Sequence, residues 1–296
     1  MKLDDIDVIL TRNTIRSLLS FVKTGIKRSV AMQMHLINNT LIIAADEEKN
    51  RRYNDPRKRP NWGHAFEDAF TSYSAELRDS ISHHRVIKYK LGSVTVAVCH
   101  EADASYSQLP QGPQHPAYQE RGSSFGNIKP SAGLRRRYEQ LSTDGLTKVR
   151  LAGAGTFPSE MAELKASCFF QSIGTHMNQL WFGRTSYIIT GKHAEGNFQE
   201  CGIVNAESEF SIWEERHQEA LQKLDSLIMI LRERVGSLGG QGVGIINKSR
   251  SKTILEIWTA QKKTEPLSVE FIERHWSQIE TGRFSVQFGS NMTRQD

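Results

Sequence analysis

Apolar residues recur along this chain with two periods in alternation, and that alternation limits it to folds that mix helices with sheets. Spacings of three and four at Ile15, Leu18, Leu19 and Val22 give residues 12–22 one apolar helical face. Two short apolar runs, 30–37 and 41–45, flank Asn38-Asn39, a pair that tolerates positive φ and predicts a hairpin. The polar stretch 46–61, with Pro56 and Pro60, reads as a loop. Helical spacing returns over 62–78 through Phe66, Phe70 and Tyr73, which puts Glu67 one position round from the buried stripe. Strands follow at 84–91 and 93–99, joined at Gly92, the second alternating through Val94, Val96 and Val98. Residues 104–160 hold five of the eight prolines together with many Ser, Gly and Gln, and this marks an irregular insertion rather than core.

Regular periods then resume. Met161 to Ala166 alternate, with Ala162, Leu164 and Ala166 on one face and Glu163 and Lys165 on the other. A helix near 174–182 and strands at 186–190 and 200–204 complete a central mixed β-sheet flanked by helices, an α/β (α+β) class. The longest helix, 212–234, carries Leu221, Leu224, Leu227, Ile228 and Leu231 and stops at Gly236, Gly239, Gly240, Gly242 and Gly244. These glycines follow a helix instead of leading a strand into one, and no Gly-Lys-Ser/Thr accompanies them, so they are not a phosphate loop. Strands at 243–246 and 254–258 and a helix at 268–277 close what reads as a single domain over 1–296.

No apolar run is long enough to cross a bilayer, so no membrane partner is expected. The start, Met1-Lys2-Leu3-Asp4-Asp5, lacks the pattern of a secretory signal, and an intracellular protein, nuclear or cytoplasmic, is expected. Cys99, Cys168 and Cys201 are odd in number and far apart, which argues against a disulfide framework or a structural zinc. The net charge of +5 and pI near 9.1 are compatible with a phosphate-rich partner. Basic residues gather at Arg51-Arg52, Arg57-Lys58-Arg59 and Arg135-Arg136-Arg137, although such runs are as often solvated loops. His83 and His84 read as the start of a strand with no ligand role.

Cleaving a phosphodiester or pyrophosphate needs hard oxygen ligands for Mg²⁺ or Mn²⁺, a polarised water, and positive charge against the transition state. Glu101 and Asp103 stand two apart at a strand end, and Glu163 and Lys165 two apart on a later strand, so each pair shares a face. Two adjacent strands would bring all four into one cleft, with Glu67 offered from a helix edge. A Glu-x-Lys alone is commonly an exposed ion pair. The order helical Glu, Glu-x-Asp, Glu-x-Lys is less ordinary and resembles the PD-(D/E)XK nucleases.

The motif order also resembles the DXO family of RNA decapping enzymes and 5′–3′ exonucleases, from about residue 8 to 235. Arg12 opens a Leu-rich helix; Gly63-His64-Ala65-Phe66-Glu67, Glu101-Ala102-Asp103 and Glu163-Leu164-Lys165 follow in the family's order; Gln179-Leu180-Trp181-Phe182-Gly183 then leads to Tyr187-Ile188-Ile189-Thr190-Gly191. The strings His83-His84-Arg85 and Trp181-Phe182-Gly183 are similar to those of fungal members. The resemblance implies that Asp103, Glu163 and the Leu164 carbonyl ligate metal, with Glu67 and Glu101 holding metal-bound water or a second ion. It implies that Lys165 and Gln179 position water and scissile phosphate and that Arg12 meets RNA phosphate. The partners implied are RNA with a 5′ cap, triphosphate, monophosphate or NAD end, with a partner exonuclease left open. Bland readings stand beside these: Arg12 as a surface charge at a helix start, Gln179 as an exposed helical residue, Glu67 as a solvated helix face.

The chain departs from the family in two respects, one being the stretch between Lys165 and Gln179, which is short where the family has a substrate-side helix. Asp103 and Glu163 lie 60 positions apart, further than the family's third and fourth motifs, so 104–160 is an added element that could cap an RNA channel with Arg135, Arg136 and Arg137. A DNA nuclease of the same superfamily, or a nucleic-acid-binding homologue without turnover, satisfies the motifs as well.

Overall fold

The computed structural model describes residues 2–26, 28–46, 50, 62–73, 77, 80, 82–106, 156–249, 253–260 and 266–277. Strand β1 (Val8–Thr11) runs directly into helix α1 (Arg12–Val22), because Thr11 caps the helix, its hydroxyl accepting the Thr14 N–H at 3.2 Å. The hairpin of β2 (Val30–Ile37) and β3 (Thr40–Ala45) turns on Asn38 at φ 51°. Helix α2 (Gly63–Phe70) precedes the second hairpin, β4 (His84–Leu91) and β5 (Val94–Glu101). Next come β6 (Ala104–Ser105), β7 (Met161–Ser167), α3 (Met177–Gly183), β8 (Tyr187–Ala194) and β9 (Asn197–Asn205). Helices α4 (Glu207–Arg216) and α5 (Gln218–Ser237), strands β10 (Gln241–Lys248) and β11 (Thr253–Thr259) and helix α6 (Val269–His275) follow.

The α+β class expected from the sequence is present, with the strands divided between two sheets. Seven strands in the order β11-β10-β2-β3-β1-β5-β4 form a mixed sheet in which β1 is parallel to both neighbours, β3 and β5. The second sheet, β6-β7-β8-β9, is parallel only between β7 and β8. The main core lies against the larger sheet, where Ile15, Leu18 and Leu19 of α1, Leu180, Trp181 and Phe182 of α3, and the Leu221, Leu224, Ile228 and Leu231 stripe of α5 are buried. A smaller core joins Phe66 of α2 to Ala162 and Leu164 of β7 and to Phe198 of β9. No helix among the described residues is long and apolar enough to cross a membrane.

Two helices differ from the periodicity. The helix expected over 62–78 ends at Phe70, where the Thr71 N–H and hydroxyl both donate to the Glu67 carbonyl, at 3.0 and 2.7 Å, and the backbone turns extended. The long helix expected at 212–234 begins earlier and breaks at His217. There the His217 N–H bonds Glu214 while its ring nitrogen Nδ1 takes the Trp213 carbonyl at 2.8 Å, the place of the next helical bond. The ring lies stacked on Trp213, 4.4 Å between centroids, so aromatic packing outweighs one backbone bond. The glycine cluster carries the chain from α5 into β10. Of the insertion at 104–160, residues 107–155 lie outside the described residues, as do Arg51, Arg52, Arg57, Lys58, Arg59 and the arginines at 135–137.

Candidate active site

Strand direction assembles the site. Because β1 and β5 are parallel, with Thr11 opposite Cys99, Arg12 and the Glu101-Ala102-Asp103 stretch leave the sheet at the same end. Beyond Glu101 the chain crosses from the seven-stranded sheet to the four-stranded one, and Asp103 sits at that crossing, immediately before β6. The paired residues Ala104 and Ala162 set the register. Past them β6 no longer covers β7, and the Asp103 carboxylate takes over, its Oδ2 accepting the Leu164 N–H at 2.9 Å. A residue's N–H and C=O leave a strand on the same side, so the Leu164 carbonyl is directed to this edge as well.

The alternation along β7 is realised. Ala162 and Leu164 pack on α2, while Glu163 and Lys165 face the other way, toward α1 and α3. Glu163 is buried and its carboxylate fully engaged: Lys165 Nζ and Gln179 Nε2 both donate to Oε1, and Arg12 lies 2.9 Å from Oε2. Lys165 also lies 3.9 Å from Asp103. Burial alone would raise the Glu163 pKa, but Lys165 and then Arg12 outweigh it and hold the carboxyl below its ordinary range. Asp103 goes the other way, pushed up to about 7 by burial and by the negative charge of Glu163, with a smaller push from Glu67.

Two glycines make room for this arrangement. A Cβ on Gly183 would fall 2.8 Å from the Thr185 hydroxyl and 3.0 Å from the Arg12 guanidinium, so the glycine lets the end of α3 lie close against both. A Cβ on Gly191 would fall 2.4 Å from the Phe66 ring, and its absence lets α2, the carrier of Glu67, seat on β8.

Five of the residues singled out from the sequence therefore stand together: Arg12, Asp103, Glu163, Lys165 and Gln179, with Leu164 bound through its amide. Arg12 is buried against Glu163 rather than lying on the surface, and Gln179 is a partner of the cluster rather than a solvated helical residue. Glu67, partly exposed, has His64 Nδ1 3.3 Å from Oε2 and acts on Asp103 through its charge. Glu101 departs from expectation. It is exposed at the last position of β5, opposite His84 of β4, and among the described residues makes no hydrogen bond or ion pair with the cluster. The reason is that β5 and β7 belong to different sheets, so Glu101 and Asp103 do not continue one strand face.

Three residues escaped the sequence reading. His100 is buried with neither ring nitrogen hydrogen-bonded among the described residues, and its pKa falls to about 4, first through burial and then through the charge of Arg12. The alternation Val94, Val96, Val98 extends to His100 and was the signal available for it. His176, just ahead of α3, is pushed down by burial and then by Lys165. Arg16, one turn after Arg12, is held down by burial and by Arg12.

The donors suit a hard cation in kind. They are carboxylate and carbonyl oxygens, and Asp103, raised first by burial and then by the charge of Glu163, is a carboxyl whose ionised form a divalent ion would favour. Among the described residues, however, no three acidic, His or Cys side chains are grouped closely enough to hold a metal ion, and Lys165 and Arg12 supply the positive charge.

The architecture defines a DXO-like fold. A Scheffersomyces stipitis Rai1 structure in complex with (3'-NADP)+ and calcium ion superposes with a TM-score of 0.54 at 13% identity, covering 91% of this chain and 69% of that one. Candida albicans Rai1 in complex with pU5-Mn2+ gives 0.50 at 14%, covering 91% and 71%. S. pombe Rai1 in complex with 3'-FADP gives 0.50 at 11%, covering 86% and 72%. No curated protein matches the chain in sequence. The chain belongs to the family described as Domain of unknown function (DUF8563), which it matches over residues 1–276.

Proposed function

We infer that this chain is a divalent-metal-dependent hydrolase of RNA 5′ ends, removing a cap, NAD or phosphate group and degrading the body that follows. The observation that carries this reading is the Asp103, Glu163, Lys165, Gln179 and Arg12 cluster at the crossing between the sheets. The DXO-like fold, with neighbours in complex with pU5-Mn2+ and with a calcium ion, supports it. Asp103, Glu163 and the Leu164 carbonyl would hold Mg²⁺ or Mn²⁺, with Glu67 reaching it through water. The ion supplies an acidified water and a counter-charge for the phosphate oxygens.

The remaining steps belong to the protein. Lys165, released from Glu163, presents a compact ammonium to the attacking water and to the charge growing on the phosphate. Gln179 orients the same water from α3. Arg12 fixes the Glu163 carboxylate and turns its free edge toward the substrate phosphate. Buried His100, held neutral, adds no competing charge behind Arg12.

Purified protein with 5′-triphosphate RNA, NAD-capped RNA, and single- and double-stranded DNA, each with Mn²⁺ or EDTA, tests the reading. Release of 5′ products from RNA in Mn²⁺ and none in EDTA is expected. Cleavage of DNA alone would give the function to a DNA nuclease, and binding of RNA without turnover would give it to an inactive homologue.

A further inference from the structure

The outward side of α1 has an unusual make-up. Asn13, Arg16, Ser17 and Ser20 follow the three- and four-residue spacing of one helical side, opposite the apolar Ile15, Leu18 and Leu19. They form one wall of a cavity of about 480 Å³, a size that accommodates a nucleotide-sized group. Arg28, Asn50 and Asn178 also line it. Among the described residues its lining carries Arg16 and no carboxylate, and its other polar groups include hydroxyls and amides.

Charge balance separates this cavity from an ordinary solvated groove. Arg12 and Arg16 are one turn apart on the same helix, a repulsive spacing for like charges. Arg12 is matched by Glu163. Arg16 donates only a long bond to the Asn13 side chain, 3.3 Å, and is in no ion pair among the described residues. Burial and then the Arg12 charge disfavour its cationic form while the Glu163 charge favours it, and a bound anion would act in the same sense as Glu163. The first turn of α1 carries no acidic residue of its own. The cavity also borders the cluster, because Asn178 adjoins Gln179, which holds Glu163.

We propose that this cavity binds a phosphate group of the substrate other than the one at the Glu163 cluster, with Arg16 as its main contact. The inference rests on the reading of the chain as an enzyme of nucleic-acid 5′ ends. The anion has two sources with the same chemistry, the 5′ polyphosphate end group or the backbone of the nucleotides behind it.

Binding in EDTA, where nothing turns over, tests it. Three probes are measured with the wild type, Arg16→Gln and Ser17→Asp: a 3′-labelled oligoribonucleotide with a 5′-triphosphate, the same oligonucleotide with a 5′-hydroxyl, and inorganic tripolyphosphate. Thermal melts confirm that both variants fold. Arg16→Gln should weaken binding roughly ten- to hundredfold, as expected for loss of a charge-assisted contact, and lower the salt dependence by about one ion. Ser17→Asp, which places a negative charge in the same wall, should weaken it at least as much. A loss confined to the triphosphate probes assigns the end group, and a loss on both oligonucleotides assigns the backbone. Unchanged affinity of both variants for all probes overturns the cavity and leaves the proposed function standing. Arg16-dependent tripolyphosphate binding by a protein that ignores RNA keeps the cavity and overturns the RNA reading.

Discussion

Glu163 carries two duties that a single substitution would confound. It is the candidate ligand, and it is also the counter-charge for buried Arg12 and for Lys165, so Glu163→Gln strands cations whose loss of a partner costs about 3–5 kcal/mol in buried pairs. Asp103→Asn isolates the chemistry better, because an amide oxygen can still accept the Leu164 N–H. Turnover in Mn²⁺ should be abolished with RNA affinity kept, and full activity of this variant in Mg²⁺ or Mn²⁺ would end the metal-site assignment. The same pair of proteins reads the pKa of Asp103. A carboxyl raised to about 7 binds its proton more tightly in the folded state than in the unfolded one, so its contribution is present below pH ~4 and lost as pH rises toward 7. Buried His100 has the opposite sign, losing stability as pH falls from ~6.5 toward 4. The melting-temperature difference between wild type and Asp103→Asn cancels the histidine contribution. It should become less favourable to the wild type from pH 4 to 7, and Mn²⁺ should reverse that trend.

Lys165 gives the sharpest division between roles. As a mere strand-face ion pair its loss would cost ~0–1 kcal/mol and leave turnover alone. As a group that meets charge in the transition state, its replacement by Met should lower kcat by roughly 10²–10³ with RNA affinity nearly kept. Lys165 also donates to Glu163 and its positive charge opposes a nearby cation, so Lys165→Met should bind Mn²⁺ more tightly while turning over more slowly. Arginine should rescue poorly, its planar fork being a poor substitute for an ammonium in a close-packed site. Single-turnover cleavage of 5′-labelled RNA and a Mn²⁺ titration check both, and a rate within threefold of wild type would remove Lys165 from the chemistry.

At the scale of elements, α2 is placed by contact rather than by chain connection, since its Phe66 ring seats over Gly191 of β8. Gly191→Ala should lift the helix, lower stability by about 1–3 kcal/mol as an overpacked core does, and weaken Mn²⁺ binding through displaced Glu67. Melting temperature and Mn²⁺ affinity measured together check this. A stable variant with normal affinity would show that Glu67 takes no part. The sequence announced most of these elements, because a period of two or of 3.6 records which side is buried. It announced the sidedness of β7 for the same reason. It did not announce that β5 and β7 lie in different sheets, since strand pairing between distant segments leaves no mark in local period. Local period therefore groups Glu101 with Asp103 and gives no sign that His100 lies beside Arg12. Arg16 and the polar side of α1 were passed over because exposed polar helix faces are ordinary until a cavity is seen against them.

At the scale of the molecule, the long stretch between the third and fourth motifs begins and ends at one place. Ala104 pairs with Ala162 and the Tyr106 N–H donates to the Glu160 carbonyl at 2.6 Å, so the ends are joined whatever lies between them. Closing a shorter connection therefore changes the loop entropy only slightly. Replacement of 108–140 by a brief Gly-Ser linker should leave the thermal midpoint nearly unchanged, and collapse of the fold would mark those residues as part of the core.

Asp103 stands where the chain passes from one sheet to the other, and its carboxylate is hydrogen-bonded to β7. Anything that grips Asp103 and Glu163 together is thus a clamp across a joint, and occupancy of the site and stiffness of the joint become one quantity. Amide hydrogen exchange at Leu164, whose N–H is the pin of that joint, should slow when Mn²⁺ is added and should lose this response in Asp103→Asn.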